Sequence, residues 1–375
     1  MCSKEKILLY GGAFDPIHNG HTNTIKYCLK HLVFDQIWLL LTFKNVDGKQ
    51  LSWWKYRYEM IKIALLHDFE DQDLKKIKVC LFEIGKGDSV TLKTIQELKK
   101  INTNHEYSFL MGDDTFIKLN DWANYKKFIH ECEKIYILNR GLTETLTFHP
   151  LINNLDFVDK FEVLKNPPWV ISSTEIKNGQ NLQNLHPKVL EYCNNNGLYF
   201  YQRIKSYLSP HRIEHSFNVA SLAVELAKQH DVSVNDCYCA AILHDIAKEL
   251  PASTLNWYLK VYDENHLNTH PSVQHQYVVA VIAKNKFLIN NQKVLDAIAQ
   301  HTIPDFSKPI DDVTKIVYLA DKLSEDRDFS NIKYYRDLAK RNLNLSFVKL
   351  FEFIQSQYED INTAKIAEDS LIEEI

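Results

Sequence analysis

His18 and His21 stand three residues apart in YGGAFDPIHNGH, residues 10–21, behind an apolar run and ahead of a helical pattern. Residues at that spacing lie on neighbouring sides of a helix, which puts both imidazoles in a first helical turn. A helix N-terminus offers unpaired N–H groups and the positive end of the peptide dipole, and both favour phosphate. Two imidazoles there can hydrogen-bond phosphate oxygens as charge accumulates during group transfer. Gly11 and Gly12 permit a tight turn and a close approach of ligand to backbone. The pair alone is equally compatible with a capped helix carrying two solvated histidines; the whole twelve-residue string favours the phosphate site.

A second set of chemically capable residues lies in the C-terminal half. His244 and Asp245, in LHDIAK, end an apolar helical run. His215 sits in RIEHSFNVASLAVEL, His275 in VQHQYVVAVIA and His301 at the end of VLDAIAQH, while Asp321 interrupts KIVYLADKL. Single histidines on apolar faces are mostly core residues. Asp321 is harder to explain that way, because burying an unpaired carboxylate is costly and demands a cation or donors. Four histidines and two aspartates, each at a polar break in an apolar helix, point to converging metal ligands. A thiolate-free set of this kind suits Fe, Mn, Co or Zn. His211 and His270 are neighbouring competitors.

Two kinds of structure must position these groups. Residues 1–200 alternate strand candidates at 6–10, 36–42, 77–83, 107–112 and 134–139 with helical patterns at 22–32, 53–67, 91–100 and 121–130. Such alternation implies βαβ units and a mostly parallel sheet covered on both faces, with ligands at the carboxyl ends of the strands. The helix behind the histidine pair is expected to bury Ile25, Leu29 and Leu32. After Tyr201 the strands stop, and helical periods follow at 211–230, 234–249, 272–286, 291–302, 311–325 and 333–357. The expectation is an α/β domain over residues 1–200 and an all-α domain over 201–375. No glycine-rich linker and no internal repeat is seen, and the tail AEDSLIEEI is expected to fray.

Bulk properties exclude several classes. A chain of 375 residues favours two domains. Hydrophobic residues at 45% and charged residues at 25% are those of a soluble globular protein. The net charge of -4 lacks the basic surface a nucleic-acid partner favours. No apolar run approaches the ~18 residues of a membrane span, and MCSKEKILLYGG shows no secretory signal. Seven cysteines, an odd number with no C-x-x-C, suggest neither a disulfide framework nor a zinc knuckle. They read as reduced thiols of a cytoplasmic protein with no membrane or nucleic-acid partner. The oligomeric state is left open.

The stretch GGAFDPIHNGH resembles the H-x-G-H nucleotidylyltransferases, and within them the bacterial nicotinate-nucleotide adenylyltransferases (NadD-type). Pantetheine-phosphate members usually carry threonine where His18 stands. Further matches follow in order: SVTLKT (89–94) looks like S-Y-T-x-x-T, LMGDD (110–114) like I-I-G-x-D, and NDW (120–122) like the segment presenting an aromatic ring to pyridine. LNRG (138–141) looks like the R-P-G turn, ISSTEIK (171–177) like I-S-S-T-x-I-R, and HPKVLEYCNNNGLY (186–199) like the closing helix. The resemblance implies a Rossmann-like nucleotidylyltransferase fold. It implies nucleotide contacts from Gly11, Gly12, Ala13, Phe14, Asp15, Thr91, Gly112, Asp114, Trp122, Arg140, Ser173, Thr174 and Lys177, with His18 and His21 holding ATP phosphates. Trp122 is also readable as core, Asp114 as a helix cap, and Ser172 with Glu175 as a capping box. The implied reaction has the phosphate of nicotinate mononucleotide attack the α-phosphate of ATP, with pyrophosphate leaving with Mg2+. It needs no protein nucleophile, only positioning and charge stabilisation. Three departures stand out. The family's P-P-H-K is replaced by FKNVDGKQ (43–50), where Lys44 or Lys49 is the available cation. Lys177 replaces an arginine and loses its planar fork, and Ala123 stands where tyrosine is common.

His215, the pair His244-Asp245, and Asp321 resemble the HD phosphohydrolase superfamily. The additional His275 and His301 resemble its two-metal subset, in which Asp245 bridges. Lys248 and Arg327 resemble phosphate-contacting positions, Lys248 near the chemistry. Residues 204–345 are similar to the bacterial YqeK group, which splits diadenosine tetraphosphate into two ADP. That implies two divalent transition metals, iron favoured, which activate water and neutralise phosphate charge. The expected protein is therefore bifunctional, with ATP, nicotinate mononucleotide and a dinucleoside polyphosphate as small-molecule partners. The alternatives are an H-x-G-H adenylyltransferase with a different acceptor, or an HD half that only senses nucleotides.

Overall fold

In β1 (Glu5–Gly12) the residues Ile7, Leu8, Leu9 and Tyr10 are buried in succession. A continuous apolar run, without alternation, is what a strand covered on both faces requires. The computed structural model describes residues 4–44, 50–146 and 149–372. With β1 stand β2 (Gln36–Leu41), β3 (Ile77–Cys80), β4 (His105–Gly112), β5 (Ile135–Leu138) and β6 (Phe161–Val163), in the order β3-β2-β1-β4-β5-β6. Every pairing is parallel. The order reverses between β1 and β4, and a crevice opens beyond the carboxyl ends of strands at such a point. Gly11 and Gly12 end β1 there, and Gly112 ends β4.

The third strand is shorter than its apolar run. It stops at Cys80, and Phe82–Lys86 forms a helical turn closed by Gly87 at φ 66°. A left-handed residue of this kind commonly ends a helix, and glycine adopts it without strain. The three-residue β6 was not foreseen, because so short a strand has no period to detect. Helices Asn19–His31, Trp54–Asp68, Thr91–Ile101 and Tyr125–Glu131 cover the sheet's connections. The first of them buries Gly20, Thr22, Thr24, Ile25 and Cys28, while Leu29 and Leu32 are only half-buried. Small residues let this helix approach the sheet closely, so the buried face differs from the expected Ile25, Leu29 and Leu32.

Met1–Tyr192 and Cys193–Ile375 form two compact units, divided a few residues ahead of the expected 200/201. The difference has a packing cause. Phe200 and Ile204, 1% and 0% exposed, belong to the core of the helical unit. That unit contains Pro210–Gln229, Val234–Leu243, Ala252–Tyr262, Pro271–Asn285, Gln292–Ala299, Asp312–Leu323, Ile332–Arg341 and Leu343–Ile372. Pro210 and Pro271 open their helices at the position where a missing N–H is harmless. Ala252–Tyr262 was not foreseen. Only Leu255 and Leu259 are buried on it, and exposed Trp257, Val261 and Tyr262 mask the period. The single helix expected at 333–357 is two, broken at extended Asn342, whose Oδ1 accepts from the N–H of Leu345. The last helix runs to Ile372 and takes in most of the acidic tail. No helix among the described residues is long and apolar enough to cross a membrane.

Each unit has its own core, around Leu9, Phe109 and Ile137 in the first and Leu226, Ile298 and Val317 in the second. Residues 1–192 and 193–375, expressed separately, should therefore each unfold in one cooperative thermal transition followed by circular dichroism. A fragment that stays soluble but melts without a transition would show that its core is incomplete.

Candidate active sites

The crevice of the first unit is a cavity of about 410 Å³. Its lining includes Gly11, Gly12, Ala13, His18, His21, Thr91, Gly112, Trp122 and Arg140, nine residues expected from the sequence. Gly112 is dictated by crowding: a Cβ there would lie 2.3 Å from Asp114 Oδ1 and 2.7 Å from Arg140 Cδ. Those two side chains pair at 3.2 Å. Trp122 lines the cavity and also packs on Phe128, with ring centroids 5.3 Å apart.

His18 caps the Asn19–His31 helix, and its ring lies 3.8 Å from that of His21, centroid to centroid. His21 Nδ1 accepts from the N–H of His18 at 3.2 Å. That bond fixes the neutral tautomer with its proton on Nε2, where it can be donated to a ligand. His18 Nδ1 is buried and has no hydrogen-bond partner. Burial, with help from the Arg140 charge, pushes the pKa of His18 from 6.5 down to about 3. Burial first, then His18 and Arg140, holds His21 well below the usual histidine range. Both imidazoles are thus neutral N–H donors near pH 7. Phe14, buried with φ 47°, sets its ring edge-on to His21 at 5.0 Å and beneath Gly12. A bulky residue in that backbone region is unusual and is held there by its packing.

The remaining expected residues brace the crevice without lining it. Asp15, 2% exposed, accepts from the Ser52 N–H at 3.0 Å and pairs with Lys177. Lys177 therefore neutralises a buried carboxylate. Ser173 Oγ donates to the Pro16 carbonyl at 3.2 Å, and Thr174 is exposed. Ser172 caps by accepting from the Thr174 N–H, while Glu175 turns to Asn181, so the cap forms without the reciprocal half of a capping box. In SVTLKT, Ser89 Oγ accepts from the N–H groups of Phe43 and Lys44, and Thr94 donates to buried Glu83. Burial raises the Glu83 pKa. Lys44 is exposed, and Lys49 lies outside the described residues; Ala123 is exposed too.

Two braces escaped the sequence reading. Arg57, 1% exposed, donates to the carbonyls of Ala13, Thr42 and Ser52, each at 2.9 Å. Asp113, fully buried, accepts from the N–H groups of Asp114, Arg140 and Leu142. The doubled acid in LMGDD was the available signal for Asp113; nothing local marks Arg57.

The six expected ligands of the second unit come from five places: His215 on Pro210–Gln229, His244 and Asp245 just past Val234–Leu243, His275 on Pro271–Asn285, His301 just past Gln292–Ala299, and Asp321 on Asp312–Leu323. All are between 0% and 5% exposed. Their donor atoms form two groups, His215 with His244 and Asp245, and Asp245 with His275 and His301, each within 4.8 Å. Asp245 belongs to both. Asp321 Oδ1 lies 3.2 Å from His215 Nε2 and 3.6 Å from His244 Nε2.

The orientation of the rings is set from behind. His244 Nδ1 donates to the Ala241 carbonyl and His301 Nδ1 to the Ile298 carbonyl, both at 2.7 Å; His215 Nδ1 meets Asp326 Oδ2 at 2.7 Å. Each Nε2 lone pair therefore faces the shared centre, as in metal-ligating histidines. Buried His244 Nε2 has no hydrogen-bond partner, with Asp245 and Asp321 oxygens 3.6 Å away. A lone pair aimed at two carboxylates is repulsive unless a cation lies between them, so the residues fit divalent metal. Burial pushes His301 down to about 4, and burial lowers His275. Neutral imidazole is the ligating form. For His244 the burial effect is outweighed by Asp245 and Asp321, and its pKa is raised.

Cations surround the cluster. Lys248 Nζ is 3.1 Å from His275 Nε2, and Arg327 Nη2 is 2.9 Å from Asp321 Oδ1. Arg212 and Lys322, missed from the sequence, reach Asp245 at 3.2 Å and Asp321 at 2.5 Å. All four line a cavity of about 970 Å³ with Asp245, His301 and Asp321. His270 lines it as well but caps its helix through Ser272, and exposed His211 joins neither ligand group.

Comparison with known proteins agrees with this division. Residues 9–179 match the cytidylyltransferase-like family, and residues 212–326 match the HD domain. The class is thus a nucleotidylyltransferase joined to a metal-ligating HD unit. A Flavobacterium johnsoniae protein described as a "probable nicotinate-nucleotide adenylyltransferase" is 34% identical over 206 residues, 52% of this chain and 98% of the relative. The chain belongs to the nicotinate-nucleotide adenylyltransferase family. A Mycoplasma genitalium protein described as a "probable nicotinate-nucleotide adenylyltransferase/Ap4A hydrolase" is 27% identical over 368 residues, covering 95% of this chain and 100% of the relative. A Mycoplasma pneumoniae protein of the same description is 27% identical over 360 residues, with 93% and 99% covered.

The neutral histidine pair has a measurable consequence. The unfolded chain takes up protons at His18 and His21 below pH ~6.5, whereas the folded unit does not until about pH 3 at His18. The unfolded state then binds more protons, so stability falls as pH falls through that window. Proton NMR of the two imidazoles should show no titration between pH 5 and 8. A midpoint near 6.5 at either ring would mean a solvated, charged histidine.

Proposed function

We propose that the first unit transfers AMP from ATP to nicotinate mononucleotide, giving nicotinate adenine dinucleotide and pyrophosphate. The second unit hydrolyses a nucleotide phosphoanhydride, with diadenosine tetraphosphate cut into two ADP. The observation that carries the first reading is the neutral His18–His21 pair at a helix start inside the crevice between β1 and β4. His21 Nε2–H and the His18 ring donate to ATP phosphates. Gly11, Gly12, Ala13 and Gly112 let nucleotide approach the backbone, and Arg140 offers positive charge. Thr91 and Trp122 complete the pocket, Trp122 against the pyridine ring. Phe14, Asp15, Asp114, Ser173, Thr174 and Lys177 hold the crevice in shape or meet the triphosphate at its edge. Mg2+ accompanies ATP. Transfer needs no enzyme nucleophile: the acceptor phosphate oxygen bonds to the α-phosphorus as the bond to pyrophosphate breaks, and the site aligns the two.

The observation that carries the second reading is Asp245 shared by two groups of buried ligands. His215, His244, Asp245 and Asp321 would hold one divalent ion, and Asp245, His275 and His301 the other. Iron is favoured over Mn, Co or Zn. Such ions supply Lewis acidity and a water nucleophile at neutral pH. Lys248, Arg212, Lys322 and Arg327 bind the polyphosphate and offset its charge. On this reading the chain works in the cytoplasm on small nucleotides, without nucleic acid or membrane, with one activity in each unit.

Incubating the chain with ATP, Mg2+ and nicotinate mononucleotide should yield nicotinate adenine dinucleotide. Pantetheine phosphate as the better acceptor would overturn the assignment. His18→Ala should lower transfer by about 10²–10³, the scale for losing one preorganised contact to developing charge. Hydrolysis by the second unit should stay unchanged.

Elemental analysis of chain purified without chelator should find two divalent ions. His275→Ala or His301→Ala should lose one of them, and Asp245→Ala should disturb both and abolish formation of ADP from diadenosine tetraphosphate. One ion at saturating metal, with His275→Ala fully active, would reduce His275 to a core residue. Nucleotide binding without turnover, with both ions bound, would make the unit a sensor.

A further inference from the structure

The cavity holding the metal ligands of the second unit is not lined by charge alone. It also takes in Phe329, Phe353, Ile354 and Gln355. These four lie beyond residue 326, where the match to the HD domain ends. Phe353, Ile354 and Gln355 come from the closing helix Leu343–Ile372, and Phe329 from the segment before Ile332–Arg341. All four are half-buried, so part of each remains open to a ligand.

We propose that Phe353 and Phe329, with Gln355, form a purine subsite that receives one adenine base of the dinucleotide. This rests on the phosphohydrolase reading of the same cavity. Four cations and buried ligands account for phosphates and metal, but they offer a base nothing to stack on. The aromatic wall supplies that surface beside them. The Phe353 ring stacks on Phe329 at 5.6 Å and 23°, and Tyr335 backs it at 5.4 Å. A ring supported by two others is held in place before the ligand arrives, which spares the cost of ordering it. Aromatic faces bind any base by stacking, and an amide in the site adds hydrogen-bond selectivity for its edge. The Gln355 amide makes no side-chain hydrogen bond among the described residues, although it lines the cavity. A phosphoanhydride flanked by nucleosides thus suits the site better than inorganic polyphosphate, and the discrimination comes from the closing helix outside the HD match.

The test compares wild type and Phe353→Ala, both loaded with manganese and checked for equal metal content and thermal midpoint. Calorimetric titration with ADP should show about tenfold weaker binding to Phe353→Ala, the scale of losing one base–aromatic stack. Titration with inorganic pyrophosphate, which has no base, should give the same affinity for both proteins. With diadenosine tetraphosphate the variant should raise KM about tenfold and leave kcat within about twofold, and Phe353→Trp should restore KM. Equal weakening toward ADP and pyrophosphate would overturn the subsite, as would unchanged ADP affinity. If wild type fails to cleave diadenosine tetraphosphate, the substrate reading fails, and the ADP–pyrophosphate comparison still decides whether a base is bound here.

Discussion

A carboxylate taken out of water must meet a cation or a set of N–H donors, and much of this chain is arranged to satisfy that demand. Asp15, Asp113, Asp245 and Asp321 are each at most 5% exposed. Asp15 meets Lys177 and a backbone N–H, which ties the loop behind Gly12 to a helix far along the sequence. Asp113 meets three backbone N–H groups and fixes the turn that presents Arg140. Asp245 and Asp321 meet imidazoles, arginines and lysines at distances that leave His244 Nε2 without a hydrogen bond. In the first unit protein donors satisfy the buried acids. In the second a cation from outside the polypeptide fits the remaining demand.

The two units therefore handle phosphate in opposite ways. Burial keeps His18 and His21 uncharged, so the crevice offers directional N–H groups at a helix start. A transferring phosphoryl group is met there by geometry more than by net charge. In the helical unit, charge dominates: two buried carboxylates lie among histidines that fit a divalent metal, and Arg212, Lys248, Lys322 and Arg327 stand around them. Transfer between two bound nucleotides must exclude water from the acceptor's place, whereas hydrolysis must admit and activate it. Dry, neutral donors suit the former and a metal cluster the latter.

The helical core extends past the segment that matches the HD domain. Ile332, Tyr335, Leu343, Phe347 and Leu350 are buried with Val317 and Leu319 of the helix that carries Asp321. The closing helices thus hold one wall of the cavity and support a metal-ligand helix at once.

Much of the site was legible in the sequence because its residues are local. His18 and His21 share one helical turn, His244 and Asp245 are adjacent, and the glycines end strands whose apolar runs announce them. The strand–helix alternation that dictates a parallel sheet is likewise a local pattern, as is its end near residue 200. Tertiary structure decided what depends on distant partners. Arg57 reads as an ordinary helix residue until its guanidinium meets the carbonyls of Ala13 and Thr42, and the ion pair that joins Lys177 to Asp15 across the chain has no local signal. That Asp245 is shared, and that Arg212 and Lys322 reach the two aspartates, follows from five separate segments packing their polar breaks inward. Periodicity tells which face of a helix is buried, but only packing tells which buried faces meet. Sequence alone therefore determined the chemistry available to this protein, and the packed fold decided which side chains share a centre.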